Sequence, residues 1–271
     1  MEAITRRVFL KQVVVGVGGV VLARSFGTKI SSAQTPVEGL SKVVIAHHPE
    51  ATDGVNTINR DVAQIMVDES IKEFTGKQSV ADAWLSILPN YKKEHIIAIK
   101  VNAIQPECPT SPEVVDAVVK GLISAGVVDN NIIIYDNLEF KLTGCKYNYN
   151  TTNVGVRCFA TDEPDWGYDW DNPVDILGQK KALSRILLKC DHLINIPVLK
   201  VHLYPYGVTL SLKNHYGSVE NAQTLHADFA RACATLNSLS AIKDKTRIII
   251  IDALFGFWGE QLNYVCPRFC P

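Results

Sequence analysis

The sequence predicts an α/β fold: a mostly parallel sheet with helices on both faces, in three layers. Two observations lead to this prediction. Short runs of almost continuous Ile and Val recur along the chain, as at 132–135 and 247–251, and stretches of helical periodicity separate them. Strands that are apolar on both faces and alternate with helices are typical of a parallel sheet that is covered on both sides.

The elements follow one another in a regular order. We predict strands at 42–46, 96–101, 132–135, 192–196 and 247–251, and helices at 61–75, 79–88, 111–125, 179–189 and 225–242. The helix at 111 has the clearest start, because Ser111 can cap it, Pro112 falls in its first turn and Glu113 adds an acid there. Gly126 then ends it.

Residues 137–173 interrupt this order. They are rich in Asn, Asp, Tyr and Trp and contain one predicted strand, at 154–160. A long insertion with little regular structure is typical of a lid or a binding loop. Its aromatic and acidic residues would suit a flat or sugar-like ligand, and a packed surface flap is the alternative.

Composition excludes several classes of protein. Of the 271 residues, 47% are hydrophobic and 20% are charged, a balance that excludes wholesale disorder, collagen and a polytopic membrane protein. Residues 34–271 carry 22 Lys and Arg against 27 Asp and Glu, a net charge of −5. We therefore predict no nucleic-acid partner, because such a partner requires a basic face.

Residues 1–33 have the order of an export signal: a basic segment at 5–11, an apolar run at 13–23, and small residues at 31–33. Arg6 and Arg7, followed by Phe-Leu-Lys, resemble the twin-arginine signal. The alternatives are an ordinary secretory signal and a basic amphipathic helix. The resemblance implies export by the twin-arginine machinery, after folding in the cytoplasm, to the periplasm or the cell exterior. The apolar run would span about 16 Å of a bilayer core of about 30 Å, so we predict no stable membrane anchor and a single mature domain, 34–271.

The seven cysteines do not form a metal-binding pattern. No Cys-x-x-Cys occurs, so neither a zinc ribbon nor an iron–sulfur cluster motif is present in the sequence. Cys266 and Cys270 are close enough in sequence for a small disulfide loop or for two soft ligands. The alternative is that all seven cysteines behave as small buried apolar residues.

Three predicted strands end in a polar residue: Asn102, Asp136 and Asp252. The carboxyl ends of parallel strands form the ligand crevice of an open α/β sheet, so these side chains are candidates for binding a substrate. The alternative for each is a helix cap or a turn.

The segment 191–217 is the most informative, because it holds lysines and histidines at a density that suits an anion or metal site. We assign Lys200 and Lys213 to charge neutralisation, and His202 and His215 to proton transfer or metal ligation. Substrate binding and orientation are assigned to Asn195, Thr209 and Asn214. The sequence does not identify a cofactor. The candidate is a metal ion bound by His202 and His215.

Several of these stretches together resemble a known family. The sequences at 99–102, 111–118, 195–202 and 207–214 and the strand before Asp252 resemble, in that order, the domain-of-unknown-function 362 family, over about 42–256. Many of its members carry ferredoxin-type clusters, which implies a redox or anaerobic context, but this chain lacks the cysteine run. Family members continue past the Asp252 strand into further α/β structure, so the resemblance implies a C-terminus that is truncated, altered by a frameshift in the gene model, or naturally short.

Three hypotheses for function follow. The first is an exported enzyme that binds a small anionic substrate or a metal-bound group at the carboxyl edge of the sheet. The second is a non-catalytic metal- or cofactor-binding or maturation protein, because capture and turnover use the same residues. The third is an inactive truncated fragment. Serine hydrolases, P-loop enzymes and dinucleotide-binding enzymes are excluded, because the mature sequence lacks their motifs.

Overall fold

The structure is a computed structural model, and it describes residues 29–32, 41–201, 208–257 and 265–266. Most of the predicted export leader, and His202, lie outside these residues. The strands are β1 (Lys29–Ser32), β2 (Val44–His47), β3 (Ile97–Lys100), β4 (Ile132–Tyr135), β5 (Arg157–Cys158), β6 (Val174–Ile176), β7 (Gln179–Lys181), β8 (His192–Asn195), β9 (Val198–Val201), β10 (Val208–Thr209), β11 (Thr246–Ile249), β12 (Asp252–Phe257) and β13 (Val265–Cys266).

Helices connect and cover these strands. The α-helices are α1 (Arg60–Thr75), α2 (Val80–Ser86), α3 (Pro112–Ser124), α4 (Glu139–Gly144), α5 (Arg185–Lys189), α6 (Ser211–Asn214), α7 (Phe229–Ser238) and α8 (Ser240–Lys243), with 3-10 turns at Asp129–Asn131, His215–Ser218 and Ala222–Asp228. Within the residues that the structure describes, no helix is both long enough and apolar enough to cross a bilayer.

The central sheet has five strands in the order β11-β8-β3-β4-β5, and every neighbouring pair is parallel. Alternate residues of its strands enter two separate cores. Ile97 and Ile99 pack in the core that helices α1 to α4 cover, whereas Ala98 packs in the core under α5, α7 and α8. Both faces of the sheet are therefore buried, which confirms the predicted three-layer α/β fold.

The predicted starts of the helices at 61, 79 and 111 are confirmed to within one residue. Ser111 immediately precedes α3, with Pro112 in its first turn, and Gly126 follows the helix at a φ of 86°. Ser79 caps α2 by accepting a hydrogen bond from the backbone N–H of Asp82. Ser79 therefore caps its helix, whereas the side chain of Ser111 makes no capping hydrogen bond although it occupies the predicted position.

Two predicted helices are wrong in part. Gln179–Lys181 is not helical but forms the strand β7, which pairs with β6 in a hairpin. Leu177 and Gly178 form its turn, at φ angles of 53° and 80°, which suits the twist of a tight hairpin. The predicted helix 225–242 is divided into a 3-10 turn, α7 and α8, because Leu239 adopts an extended ψ of 138°.

The segment 137–173 packs against the body of the protein. Trp166 lies with its ring centroid 5.0 Å from that of Phe159. Tyr147 is buried and donates a hydrogen bond to the carbonyl oxygen of Thr110, at 2.7 Å. Of a binding loop and a packed surface flap, these contacts favour the packed surface flap.

A second, smaller sheet in the order β10-β9-β12-β13 extends the carboxyl edge of the central one. Strand β9 begins two residues after β8, beyond Pro197, and β12 runs parallel to it. This arrangement places Lys200, near the end of β9, beside the loop that follows β3.

Candidate anion site

The carboxyl ends of β3, β4 and β8 lie side by side. In the parallel register Lys100 is paired with Tyr135 on one side and with Asn195 on the other. The polar residues that follow these strands, Asn102 and Asp136, therefore lie at the same edge, as the sequence pattern predicts.

A buried ion pair occupies the centre of this edge. Lys100 is 1% exposed, and its Nζ donates to Asp136 Oδ1 at 2.9 Å and to the carbonyl oxygen of Val101 at 2.6 Å. Asp136 Oδ2 accepts a hydrogen bond from the backbone N–H of Ala103. Burial lowers the pKa of Lys100, and the facing carboxylate counteracts that change. The two charges compensate each other.

Lys200 has no such compensation. It is 6% exposed, and its Nζ donates to Asn102 Oδ1 at 2.6 Å and to the carbonyl oxygen of Cys108 at 3.4 Å. Among the described residues, no carboxylate lies within ion-pair distance of it. Burial lowers its pKa to about 8. Lys200 is thus a buried lysine without an ion-pair partner among the described residues.

Three side-chain amides form a chain that starts at this lysine. Asn102 accepts from Lys200 and donates to Asn214 Oδ1 at 3.2 Å, and Asn214 donates to Asn195 Oδ1 at 2.8 Å. Asn195 in turn donates to the carbonyl oxygen of Ser211. Every amide directs its oxygen towards the lysine, so the aligned dipoles stabilise the positive charge without neutralising it.

Two threonines hold the backbone around the lysine. Thr209 donates to the carbonyl oxygen of Lys200 at 3.2 Å and so couples β10 to β9. Thr110 donates to the carbonyl oxygen of Ile196 at 2.6 Å and accepts from the backbone N–H of Asn102. These bonds connect the loop 102–110 to Ile196, the residue after β8, and hold Asn102 within hydrogen-bonding distance of Lys200.

Lys213 and His215 lie apart from the amide chain. Lys213 Nζ is 4.2 Å from the centroid of the Tyr216 ring, and burial lowers its pKa to about 8. His215 is buried with Nδ1 3.3 Å from Ser218 Oγ, and burial lowers its pKa to about 3, so the imidazole is neutral. Among the described residues, neither side chain is therefore hydrogen-bonded to Lys200.

Asp252 accepts a hydrogen bond at the start of helix α3. Its Oδ2 accepts from the backbone N–H of Ser111 at 2.7 Å, next to the first turn of α3, and its Oδ1 accepts from the N–H of Leu254. Burial raises its pKa. Of the two roles that the sequence left open for Asp252, these bonds favour the structural one.

No group of three or more His, Cys, Asp or Glu side chains suited to a metal ion occurs among the described residues. His202 lies outside them, so the metal site at His202 and His215 stays a prediction. The five cysteines whose side chains are described are all free and buried, as expected of small apolar residues. A surface cavity of about 530 Å³ lies elsewhere, between residues 56–61 and Glu113.

Sequence reasoning missed three residues of the site: Lys100, Thr110 and Gly217. A charged residue within the apolar run Ile-Ala-Ile-Lys-Val was the available signal for Lys100, because a central strand buries both faces. No local signal marks Gly217, where a Cβ would lie 2.2 Å from Asp136 Oδ1 and 2.7 Å from Lys100 Nζ. Its backbone rests directly on the ion pair.

Fold and site together define an α/β protein with a buried, positively charged polar cluster at the carboxyl edge of its sheet. The chain belongs to the family described as "Domain of unknown function (DUF362)", whose profile matches residues 97–264, more than half of the chain. That match extends from β3 through β12 and includes every described residue of the cluster.

Comparison with solved structures gives distant likenesses. A lactate racemase apoprotein from Thermoanaerobacterium thermosaccharolyticum is 13% identical with a TM-score of 0.40, over 79% of this chain and 54% of that one. A protein from Thermotoga maritima is 12% identical with a TM-score of 0.38, over 75% of this chain and 54% of that one. The chain thus spans about half the length of either structure. Comparison with the curated proteins gives no match.

Proposed function

We propose that this chain is an exported enzyme that binds a small anionic substrate at Lys200. The observation that carries the proposal is a buried ammonium group without a carboxylate partner among the described residues. Burying an unpaired charge is unfavourable, and a bound ligand of the opposite charge would offset that cost. A carboxylate, a phosphate or a metal-bound anionic group would supply it.

The surroundings of Lys200 support a site for a ligand rather than an accident of packing. The amide chain from Asn102 to Asn195 stabilises the cation and leaves its net charge intact. Asp136 is held in an ion pair by Lys100, so its carboxylate acts on Lys200 only from beyond ion-pair distance. Asn102, which accepts the hydrogen bond from Lys200, is only partly buried.

The lowered pKa of Lys200 supports the enzyme hypothesis. A pKa lowered to about 8 keeps part of the amine unprotonated near neutral pH, as a general base or a nucleophile requires. Export is supported by the residues of the leader alone, and cleavage after residue 33 in cells would test it.

Anion binding is tested by the unfolding temperature in acetate and in inorganic phosphate at constant ionic strength. We expect at least one of them to stabilise the wild type and to have no effect on Lys200→Met. Lys181→Met is the matched control, because Lys181 is 4% exposed but faces Glu220 at 3.5 Å. Equal stabilisation of all three proteins, or of none, would refute the site.

A further inference from the structure

The hydrogen bonds of Lys200 leave one direction of its amine unused. An ammonium group has three N–H donors, and only two acceptors meet them among the described residues: Asn102 Oδ1 and the carbonyl oxygen of Cys108. The third direction is the one in which a ligand can meet the nitrogen. In the uncharged amine, the lone pair can take this direction while the two existing hydrogen bonds are kept.

The other buried lysines are engaged differently. Lys100 donates to Asp136 and to a carbonyl, and its ion pair is covered by the backbone of Gly217. Lys181 lies between Glu220 and the carbonyl oxygen of Asn221. Among these three, Lys200 alone is buried without a carboxylate partner in the part of the chain that the structure describes. Desolvation favours the uncharged, nucleophilic form of an amine.

A ligand for this nitrogen has two requirements to meet. It must bring a negative charge, because no carboxylate of the described residues pairs with the buried cation, and it must offer an electrophile to the unused direction. A 2-oxo acid has both, since its carboxylate is attached directly to its carbonyl carbon. We propose that Lys200 forms an imine with a small 2-oxo acid, an inference that rests on the proposed anion site.

The reaction balances without any further reagent. The Nζ lone pair attacks the carbonyl carbon, the carbon–oxygen double bond is replaced by a carbon–nitrogen double bond, and the oxygen leaves as water. Starting from the ammonium form, two protons leave with that water and one stays on nitrogen, so the positive charge is conserved. The protonated imine then lies next to the carboxylate of the bound acid, which supplies a counterion.

Reductive trapping tests the proposal on the full chain. The protein is treated with pyruvate and sodium borohydride, digested, and each lysine-bearing peptide is quantified by mass spectrometry. Pyruvate is chosen because a ketone reacts little with exposed lysines. We expect the adduct on Lys200, at least about tenfold above Lys181, because desolvation favours the reactive free amine at Lys200 whereas Glu220 and a carbonyl oxygen engage the amine of Lys181. Excess acetate should reduce the adduct by competing for the same charge.

Lys213 is the internal control, because its pKa is also lowered to about 8 while its amine lies over the Tyr216 ring. Equal labelling of Lys213 and Lys200 would overturn the proposal, since burial alone would then explain both. Lys200→Arg is the companion variant: it keeps the charge and loses the nucleophile. We expect it to be stabilised by pyruvate and to yield no adduct.

The outcomes separate this inference from the proposed function. Stabilisation by pyruvate that depends on Lys200, without an adduct on it, overturns the imine and leaves the anion site standing. Neither stabilisation nor adduct overturns both. An adduct on Lys200 that acetate does not reduce also overturns the proposal, because the carboxylate would then have no part in binding.

Discussion

Lys200 donates to Asn102 across 98 positions of sequence, at 2.6 Å, and this bond joins β9 of the small sheet to the loop after β3 of the central sheet. It is also the first link of the amide chain through Asn214 to Asn195. One hydrogen bond therefore couples the position of the buried cation to the arrangement of three strand ends.

Replacement of Lys200 by Met should stabilise the protein. The folded-state pKa of about 8 lies below the ordinary 10.5, so the unfolded chain binds more protons between these values, and protonation of Lys200 opposes folding at pH 7. We expect Lys200→Met to raise the free energy of unfolding by about 1–3 kcal/mol. Urea denaturation at pH 7 measures it, and Lys181→Met should give the opposite sign, because it leaves Glu220 without its partner.

Asp136→Asn should destabilise the fold strongly. The change leaves the Lys100 ammonium 1% exposed and without a carboxylate, at a loss of about 3–5 kcal/mol in the free energy of unfolding. Combining it with Lys100→Met should restore much of that loss, because the unpaired charge is then gone. A double variant as unstable as Asp136→Asn would show that the pair's charges are not the cause.

Gly217→Ala should move the segment that covers the ion pair. The added Cβ would lie 2.2 Å from Asp136 Oδ1, closer than van der Waals contact allows, so the backbone must shift. We expect a loss of about 1–3 kcal/mol in stability together with weaker anion binding. Gly167→Ala is the control, because no atom lies within 4 Å of its added Cβ. Equal effects of the two substitutions would show that the close approach at Gly217 has no consequence.

Asn214→Leu should break the amide chain at its centre. It leaves Asn195 Oδ1 without its donor, at about 1–3 kcal/mol for this buried group, whereas the carbonyl oxygen of Lys100 keeps the backbone N–H of Ile196. Asn172→Ala, which removes an exposed amide that donates to Asp169, should change stability by less than about 0.5 kcal/mol. Calorimetric unfolding of both variants measures the contrast.

Acid should destabilise the protein partly through His215. Its folded-state pKa of about 3 lies below the ordinary 6.5, so the unfolded chain binds more protons between these values and stability falls as the pH decreases through this range. Between pH 7 and pH 5 the loss due to this residue is about 2 kcal/mol. His215→Gln should remove that part of the pH dependence in urea unfolding, and an unchanged dependence would show that His215 titrates normally.

Much of the fold and part of the site could be predicted from sequence. Uninterrupted Ile and Val in β3 and β4 indicate burial on both faces, and parallel strands bring their carboxyl ends to one edge. The residue pattern alone therefore suffices to place Asn102 and Asp136 together. It does not suffice for the hairpin at 174–181, because that pairing depends on a turn with two positive φ angles rather than on periodicity.

The side-chain directions in the segment 208–218 were beyond sequence reasoning. Lys213 and Asn214 are consecutive, and successive residues of a helix point about 100° apart. Asn214 therefore faces the strand ends while Lys213 faces the Tyr216 ring, although the residue types alone favour the lysine as the site residue. The burial of Lys100 beneath Gly217 likewise depends on the tertiary path of this segment.

The proposed function depends on Lys200 being a buried cation whose counterion is a bound anion. Diffraction from crystals grown with bromide as the halide tests this most directly, because bromide scatters anomalously and requires only a positive charge and a donor. We expect an anomalous peak within hydrogen-bonding distance of Lys200 Nζ, and none there in Lys200→Met. A carboxylate side chain on Lys200, or an ammonium group with no anion beside it, would contradict the proposal.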